Sequence, residues 1–316
     1  MSTASFKLFA GNSNPALAQQ ISRHLDIPLG NAIVDCFPNG ETHVEVLEPV
    51  RGKDVFVIQS TSPPVNDHIM ELMLLFDALK RASAESVTAV VPYFGYGKQD
   101  KRKSGREAIS AKVVANMFES AGISRLITLD LHAPQIEAFF NIPVDNLPTI
   151  SFFARHLQRY DPRNLVIVST DAGRLKTARK LGQVLGCDIA VIDKYRPSYE
   201  GAKAMHLLGE VRGKDAVLID DFIDTAGSIT AAAESVKAHG ARSVRICATH
   251  ALLTPPATER LRALDIDVTT TDTVSIPEER RFQRLEILSV GDMLAEVIGR
   301  IHKREPLSPL FEPAAF

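Results

Sequence analysis

The run Ala216-Val-Leu-Ile-Asp-Asp-Phe-Ile-Asp-Thr-Ala-Gly-Ser-Ile-Thr230 joins an apolar stretch to two adjacent acids, then to an acid, a hydroxyl, a glycine and a second hydroxyl. Each part suits one piece of a phosphorylated sugar. Ala216–Ile219 reads as a buried strand ending in Asp220 and Asp221, whose carboxylates can accept hydrogen bonds from vicinal hydroxyls. Asp224, Thr225, Ala226, Gly227 and Ser228 then form a short loop that opens a helix running to about His239 and stopping at Gly240. Backbone N–H groups and the positive end of that helix, at Thr225–Ser228, can hold a phosphate, and Gly227 allows close approach. Ligands of α/β sheets gather at the carboxyl ends of strands, so the stretch suits a sugar 5-phosphate. Adjacent acids after a strand also occur as solvated helix caps. It is the combined pattern, Asp-Asp-x-x-Asp-Thr-x-Gly-Ser, that carries the reading.

Such a loop needs a sheet to carry it. Short runs rich in Val, Ile and Leu recur at Lys7–Ala10, Asp54–Gln59, Val87–Val91, Arg125–Leu129, Asn164–Val168, Asp188–Ile192, Ala216–Ile219, Ser243–Ala248 and Asp267–Thr271, as strands buried on both faces do. Helical patterns lie between them. Ile69, Leu72, Met73, Phe76 and Leu79 form one apolar stripe, and Leu175, Ala178, Leu181 and Leu185 another, stopped by Gly186. The alternation predicts an α/β fold of mostly parallel sheets flanked by helices. One antiparallel hairpin interrupts it, Ala32–Phe37 and Glu41–Leu47 around Pro38-Asn39-Gly40. A boundary near Leu147–Ile150 gives two domains, 1–148 and 149–316, of ordinary size.

Composition bounds the function. The 316 residues are 45% hydrophobic and 23% charged, with 36 Lys and Arg against 38 Asp and Glu, so the chain is expected to be globular and close to neutral. Near-neutrality argues against non-specific binding of nucleic acid or an anionic membrane. No secretory leader or membrane-length apolar segment stands out. Cys36, Cys187 and Cys247 are odd in number and far apart, which suits reduced, mostly buried thiols in a cytosolic protein. Gly52-Lys53, Gly97-Lys98 and Gly213-Lys214 all lack the Ser or Thr of a Walker A loop.

The loop at 220–228 resembles the ribose-phosphate motif of the phosphoribosyltransferase fold. From end to end the chain resembles one family with that fold, the ribose-phosphate pyrophosphokinases. Phe37-Pro-Asn39-Gly40-Glu41 is similar to its adenine hairpin. Tyr93-Phe-Gly-Tyr-Gly-Lys98-Gln99-Asp100-Lys101-Arg102-Lys103 is similar to its ATP loop, and Asp130-Leu-His132 to its metal-histidine segment. Ser169-Thr-Asp171-Ala-Gly173 resembles a second metal segment, and Ile192-Asp-Lys194-Tyr-Arg196-Pro197 a catalytic loop. The resemblance implies two similar phosphoribosyltransferase-like domains and transfer of the β,γ-diphosphate of ATP to the anomeric hydroxyl of ribose 5-phosphate, with AMP leaving.

It also assigns roles. Lys194 and Arg196 would place positive charge on the diphosphate, and Arg196 would also reach the sugar phosphate. Phe37, Asn39, Gly40 and Glu41 would hold adenine, and Lys98, Gln99, Asp100, Lys101 and Arg102 the triphosphate. Asp220, Asp221 and residues 224–228 would hold ribose 5-phosphate. Mg²⁺ is the implied cofactor, at His132 and Asp171 with Asp130 less firmly placed. Because Mg²⁺ prefers oxygen, His132 would be either a direct ligand or an orienter of water or phosphate. A homohexamer built from dimers, with phosphate and ADP as effectors and Arg51, Ser83 and Ser308 near an inter-subunit phosphate site, is implied on the same basis.

The chain departs from the pattern at Lys98, where Arg is usual, at Asn141 (an acid), at Thr170 (Pro), at Arg174-Leu175 (small residues) and at Tyr195 (a basic residue). Two alternatives stand beside the enzyme: a non-catalytic regulatory homologue and a simple phosphoribosyltransferase. Retention of Lys194, Arg196, His132, Asp171, Asp220 and Asp221 favours the enzyme. Lys194–Leu208, with little to bury, is expected to act as a lid over bound phosphates, loosest at about Tyr195–Met205.

Overall fold

The computed structural model describes residues 6–195 and 204–311. The chain divides into two units. The first holds Met1–Leu147, Thr273–Ser275 and Ser289–Ser308, the second Pro148–Asp272, Ile276–Leu288 and Pro309–Phe316.

In the first unit, strands β1 (Lys7–Ala10), β4 (Asp54–Ile58), β5 (Ser86–Val90), β6 (Arg125–Leu129) and β7 (Val144–Leu147) pair in that order as a parallel sheet. Strands β2 (Ala32–Cys36) and β3 (Thr42–Val46) form the separate antiparallel hairpin. Helices α1 (Pro15–Leu25), α2 (Val65–Arg81) and α3 (Ser110–Ala121) cover the sheet. Their ends follow local chemistry: Asn14 accepts from the Leu17 N–H at 3.2 Å, with Pro15 opening α1. On α2 the stripe Ile69, Leu72, Leu75, Phe76 and Leu79 is buried, while Met73 is only partly so. Phe76, Phe94 and Phe118 stack edge to face in the core, with Phe118 at 5.7 Å from Phe76 and 6.1 Å from Phe94.

In the second unit, β8 (Leu165–Ser169), β9 (Asp188–Tyr195), β10 (Ala204–Leu208), β11 (Asp215–Ile223), β12 (Ser243–Ala251), β13 (Asp267–Thr271) and β14 (Leu285–Leu288) make a sheet in the order β10-β9-β8-β11-β12-β13-β14. All neighbours are parallel except the β10–β9 edge pair. Helices α4 (Ile150–Leu157), α5 (Leu175–Leu185), α6 (Gly227–Ala238) and α7 (Ala257–Leu264) complete the unit. β8 is the first strand laid down; the chain adds β9 on one side of it and β11 on the other. The crevice outside the carboxyl ends of β8 and β11 is therefore a topological switch point, where α/β sheets bind ligands.

The structure departs from the sequence expectations in three places. First, α8 (Gly291–Lys303) belongs to the first unit, against a contiguous 149–316 half. It packs on α1, with His24 Nε2 at 2.6 Å from Asp292. Second, β9 runs to Tyr195 and β10 begins at Ala204, so both flanks of the expected lid are paired strand, Tyr195 opposite Ala204. Residues 196–203, which include Arg196, lie outside the described residues. Third, Asp220 and Asp221 sit within β11, not after it. The strand continues beside β12 to Ile223, whereas its pairing with β8 ends at Ile219 opposite Ser169. The acids thus occupy the part of β11 whose β8 side has already been vacated, which opens that edge to the crevice.

Candidate active site

At the switch point, two stretches face each other. After β8, Thr170 donates its hydroxyl to Asp220 Oδ2 at 3.1 Å. Proline, the residue usual at this position in the pattern above, has no donor to offer. Asp171 Oδ1 accepts from the Arg174 N–H at 3.1 Å and so fixes a short turn ahead of α5. The Arg174 guanidinium lies 2.7 Å from Asp221 Oδ2, with the side chains only 14% and 3% exposed. After β11, Asp224 is half-buried and Thr225, Gly227 and Ser228 are exposed. Ala226 takes left-handed φ 62° at the N-cap of α6 without a side-chain cap, so the first N–H groups of the helix have no side chain of that residue to bind. Arg260 of α7, not singled out by any motif, donates to the Thr225 carbonyl at 2.9 Å and braces the loop.

The two acids are electrostatically unequal. Burial, reinforced by hydrogen bonding to and repulsion from Asp221, pushes the Asp220 carboxyl up to about 7. Between the ordinary carboxylate range and pH 7 the folded chain therefore keeps a proton that the unfolded chain has released. Stability contributed by this group is full at low pH and is lost as pH rises through 7. Asp220→Asn is expected to remove this loss. Calorimetric melting at pH 5 and pH 8 should show a smaller drop in Tm for the variant than for the parent; an identical drop would contradict the assignment.

In the first unit, the hairpin turn is tied by Phe37 N–H to Glu41 carbonyl and Gly40 N–H to Phe37 carbonyl, both 2.8 Å. Asn39 Oδ1 accepts from the Glu41 N–H at 3.1 Å. Gly40 sits at φ +90° with open space around it, so its role is conformational. The Phe37 ring is 49% exposed and rests on His43, centroids 4.9 Å apart, while Asp35 Oδ1 holds His43 Nδ1 at 2.9 Å. Phe37 is thus a supported, outward-facing aromatic platform. His43 and Asp35 were not expected from the motif; their alternation on paired strands, Asp35 opposite His43, was the available signal.

The basic loop follows β5 and the Asp130–His132 segment follows β6, two neighbouring strands of the same carboxyl edge. They pack together: a Cβ on Gly97 would lie 3.7 Å from His132 Cβ, and Gln135 donates to the buried Asp100 carboxylate. Asp100 therefore anchors the loop from beneath, while Lys98, Gln99, Lys101 and Arg102 are exposed above it. Gln99 Oε1 is held by the Ser110 hydroxyl at 2.6 Å. Asn141 binds Glu119 of α3, with Nδ2–Oε2 at 2.9 Å, so it acts in packing.

Among the described residues no three His, Cys, Asp or Glu side chains gather into a group able to hold a metal alone. Asp130 and His132 belong to the first unit and Asp171 to the second. Within each unit, half-buried Asp130 with exposed His132 in the first, and half-buried Asp171 in the second, are too few donors to enclose an ion and suit one that keeps most of its waters, as Mg²⁺ does. They do not fit a closed structural cage.

Similarity to known proteins extends over nearly the whole chain. A profile of the N-terminal domain of ribose phosphate pyrophosphokinase matches residues 6–122, and one of the phosphoribosyl synthetase-associated domain matches residues 199–312. Ribose-phosphate pyrophosphokinase 1 of Lactococcus lactis subsp. lactis is 48% identical, with 99% of this chain and 98% of the relative covered. The ribose-phosphate pyrophosphokinase of Bacillus caldolyticus is 47% identical, with 97% and 98% covered. The crystal structure of phosphoribosylpyrophosphate synthetase from Mycobacterium smegmatis matches with a TM-score of 0.90 at 38% identity, over 95% of this chain and 99% of that one. With identity at this level sustained through both units, the chain belongs to the ribose-phosphate pyrophosphokinase family.

Proposed function

We propose that the chain transfers the β,γ-diphosphate of ATP to the anomeric hydroxyl of ribose 5-phosphate, giving 5-phosphoribosyl 1-diphosphate and AMP. The observation that carries this reading is the switch-point crevice, with two acids on β11 facing the turn after β8 and, two residues past Asp224, a helix N-cap, Ala226, that offers no side-chain cap. Asp220 and Asp221 accept from the ring hydroxyls of the sugar. Residues Asp224, Thr225, Ala226, Gly227 and Ser228 surround the 5-phosphate with backbone N–H groups. The sugar is thereby fixed with its anomeric oxygen free to attack the β-phosphorus, and the bond to the AMP oxygen breaks.

Phe37 stacks on adenine, with Asn39, Gly40 and Glu41 along its edge. Lys98, Gln99, Lys101 and Arg102 hold the triphosphate, and Asp100 keeps their loop in place. Lys194 and Arg196 neutralise charge on the diphosphate as it moves. Asp130, His132 and Asp171 would hold Mg²⁺, which when bound spreads the negative charge of the phosphates. We further propose a homohexamer, with phosphate and ADP as effectors at a site that includes Arg51, Ser83 and Ser308. The Gly52 N–H already binds the Ser83 carbonyl at 2.9 Å, which keeps Arg51 beside Ser83. Cys36, Cys187 and Cys247 form no disulfide, which suits work in the cytosol.

AMP release from ATP that requires both ribose 5-phosphate and Mg²⁺ tests the reading, and AMP release without the sugar would overturn it. A stacking platform adds its own expectation. Loss of one base–aromatic contact costs about 1–3 kcal/mol, so Phe37→Ala should raise KM for ATP roughly 5- to 140-fold with KM for ribose 5-phosphate unchanged. Steady-state kinetics with each substrate varied checks this, and equal changes in both constants would contradict it.

A further inference from the structure

Arg174 stands where small residues are usual in the pattern, and no motif gives it a task. The structure places it in the turn between β8 and α5, against Asp221 of β11. Its backbone N–H is held by Asp171, its guanidinium lies 2.7 Å from Asp221, and that pair is almost wholly withdrawn from water. Thr170, four residues earlier, holds Asp220. One five-residue stretch after β8 therefore grips both sugar-facing acids of β11. A buried carboxylate with a guanidinium on one oxygen keeps lone pairs for further donors, and a planar fork fixes the carboxylate better than a point charge does. Without the cation, Asp221 would be a buried charge beside the Asp220 carboxyl group and would lose the guanidinium that helps fix its rotamer.

We propose that Arg174 is a positioning residue for the sugar: it holds the Asp221 carboxylate in the orientation that receives a ring hydroxyl, and so sets the preference for ribose 5-phosphate over its deoxy counterpart. This rests on the reading of Asp221 as a ribose acceptor. On that reading Arg174 acts on the sugar by way of Asp221, not by contact with ATP or the transferred diphosphate.

The test is a double-variant cycle on the full-length enzyme with Arg174→Gln, Asp221→Asn and both together. Calorimetric binding of ribose 5-phosphate and of 2-deoxyribose 5-phosphate is measured beside turnover. Arg174→Gln is expected to weaken ribose 5-phosphate binding roughly 10- to 100-fold, to leave KM for ATP unchanged, and to shrink the preference over the deoxy sugar. Combined with Asp221→Asn it should cost little more than Asp221→Asn alone, and Arg174→Lys should restore part of the affinity. Unchanged sugar binding in Arg174→Gln, additive losses in the cycle, or an equal loss of ATP affinity would overturn the proposal. Should Arg174→Gln fail to fold, Arg174→Lys carries the decision: severalfold weaker sugar binding with normal ATP binding supports it, and unchanged sugar binding overturns it. The outcomes also separate two failures. A parent enzyme that binds the sugar but releases no AMP would refute the functional reading while leaving the positioning role standing.

Discussion

Replacing Lys194 with alanine is expected to lower kcat by about 1,000-fold or more while ribose 5-phosphate binding survives. Diphosphoryl transfer concentrates negative charge between the attacking sugar oxygen and the departing AMP, and little covalent chemistry is left for the protein to perform. On the proposed assignment of Lys194 to that charge, removing the cation lowers the rate more than it lowers ground-state binding. The backbone supports this placement. β9 pairs with β8 only as far as Val191 opposite Ser169 and then runs on to Tyr195. At ~3.3 Å per residue, Lys194 stands roughly 10 Å beyond that last pair, above the carboxyl edge where β8 and β11 form the crevice. Met205 of β10 lies opposite it. Single-turnover rates at saturating substrates, with sugar binding measured separately, check the assignment. A near-normal kcat in Lys194→Ala would contradict it, and so would a loss confined to KM.

Asp220→Ala and Asp221→Ala should each weaken ribose 5-phosphate binding by about 1.5–3 kcal/mol, the size of a lost charge-assisted hydrogen bond, and leave ATP binding nearly intact. Asp221 should show the larger loss. Its removal also strands the buried Arg174 guanidinium, whereas Asp220, raised to about 7, is only partly ionised near pH 7 and is held by a neutral hydroxyl. The same inequality makes binding pH-dependent: sugar affinity should rise as pH climbs through about 7 and Asp220 gains its full charge. Asp220→Asn should flatten that rise. Calorimetry from pH 6 to pH 8 measures both effects. Equal losses for the sugar and ATP would indicate damage to the fold and contradict the assignment.

What could be read from the chain alone was what lies contiguous in it. The β11–loop–α6 segment carries strand, adjacent acids, the proposed phosphate loop and helix start in one run, and the Asn39-Gly40 turn announces the hairpin by itself. The parallel strands were visible because apolar side chains fill both faces. The return of α8 to the first unit was not visible, because its apolar face would suit any sheet and only α1 at the other end of the chain decides where it docks. The strand pairing of Tyr195 with Ala204 was hidden by a polar, Gly-containing connection. The Arg174–Asp221 pair joins the turn after β8 to β11 across a separation of 47 positions, and no local pattern announces such a partner. Asp35 and His43 beneath Phe37 were hidden for a milder reason: each looks like an ordinary solvated residue until the hairpin register sets one against the other.

The most direct measurement follows phosphorus through the reaction. With ATP, ribose 5-phosphate and Mg²⁺ supplied to the purified enzyme, phosphorus NMR should show one AMP appearing for each anomeric diphosphate ester, with label from the β and γ positions of ATP both on the sugar. ADP together with a singly phosphorylated new position would contradict diphosphoryl transfer, and an absence of any sugar product despite measurable ribose 5-phosphate binding would contradict catalysis altogether.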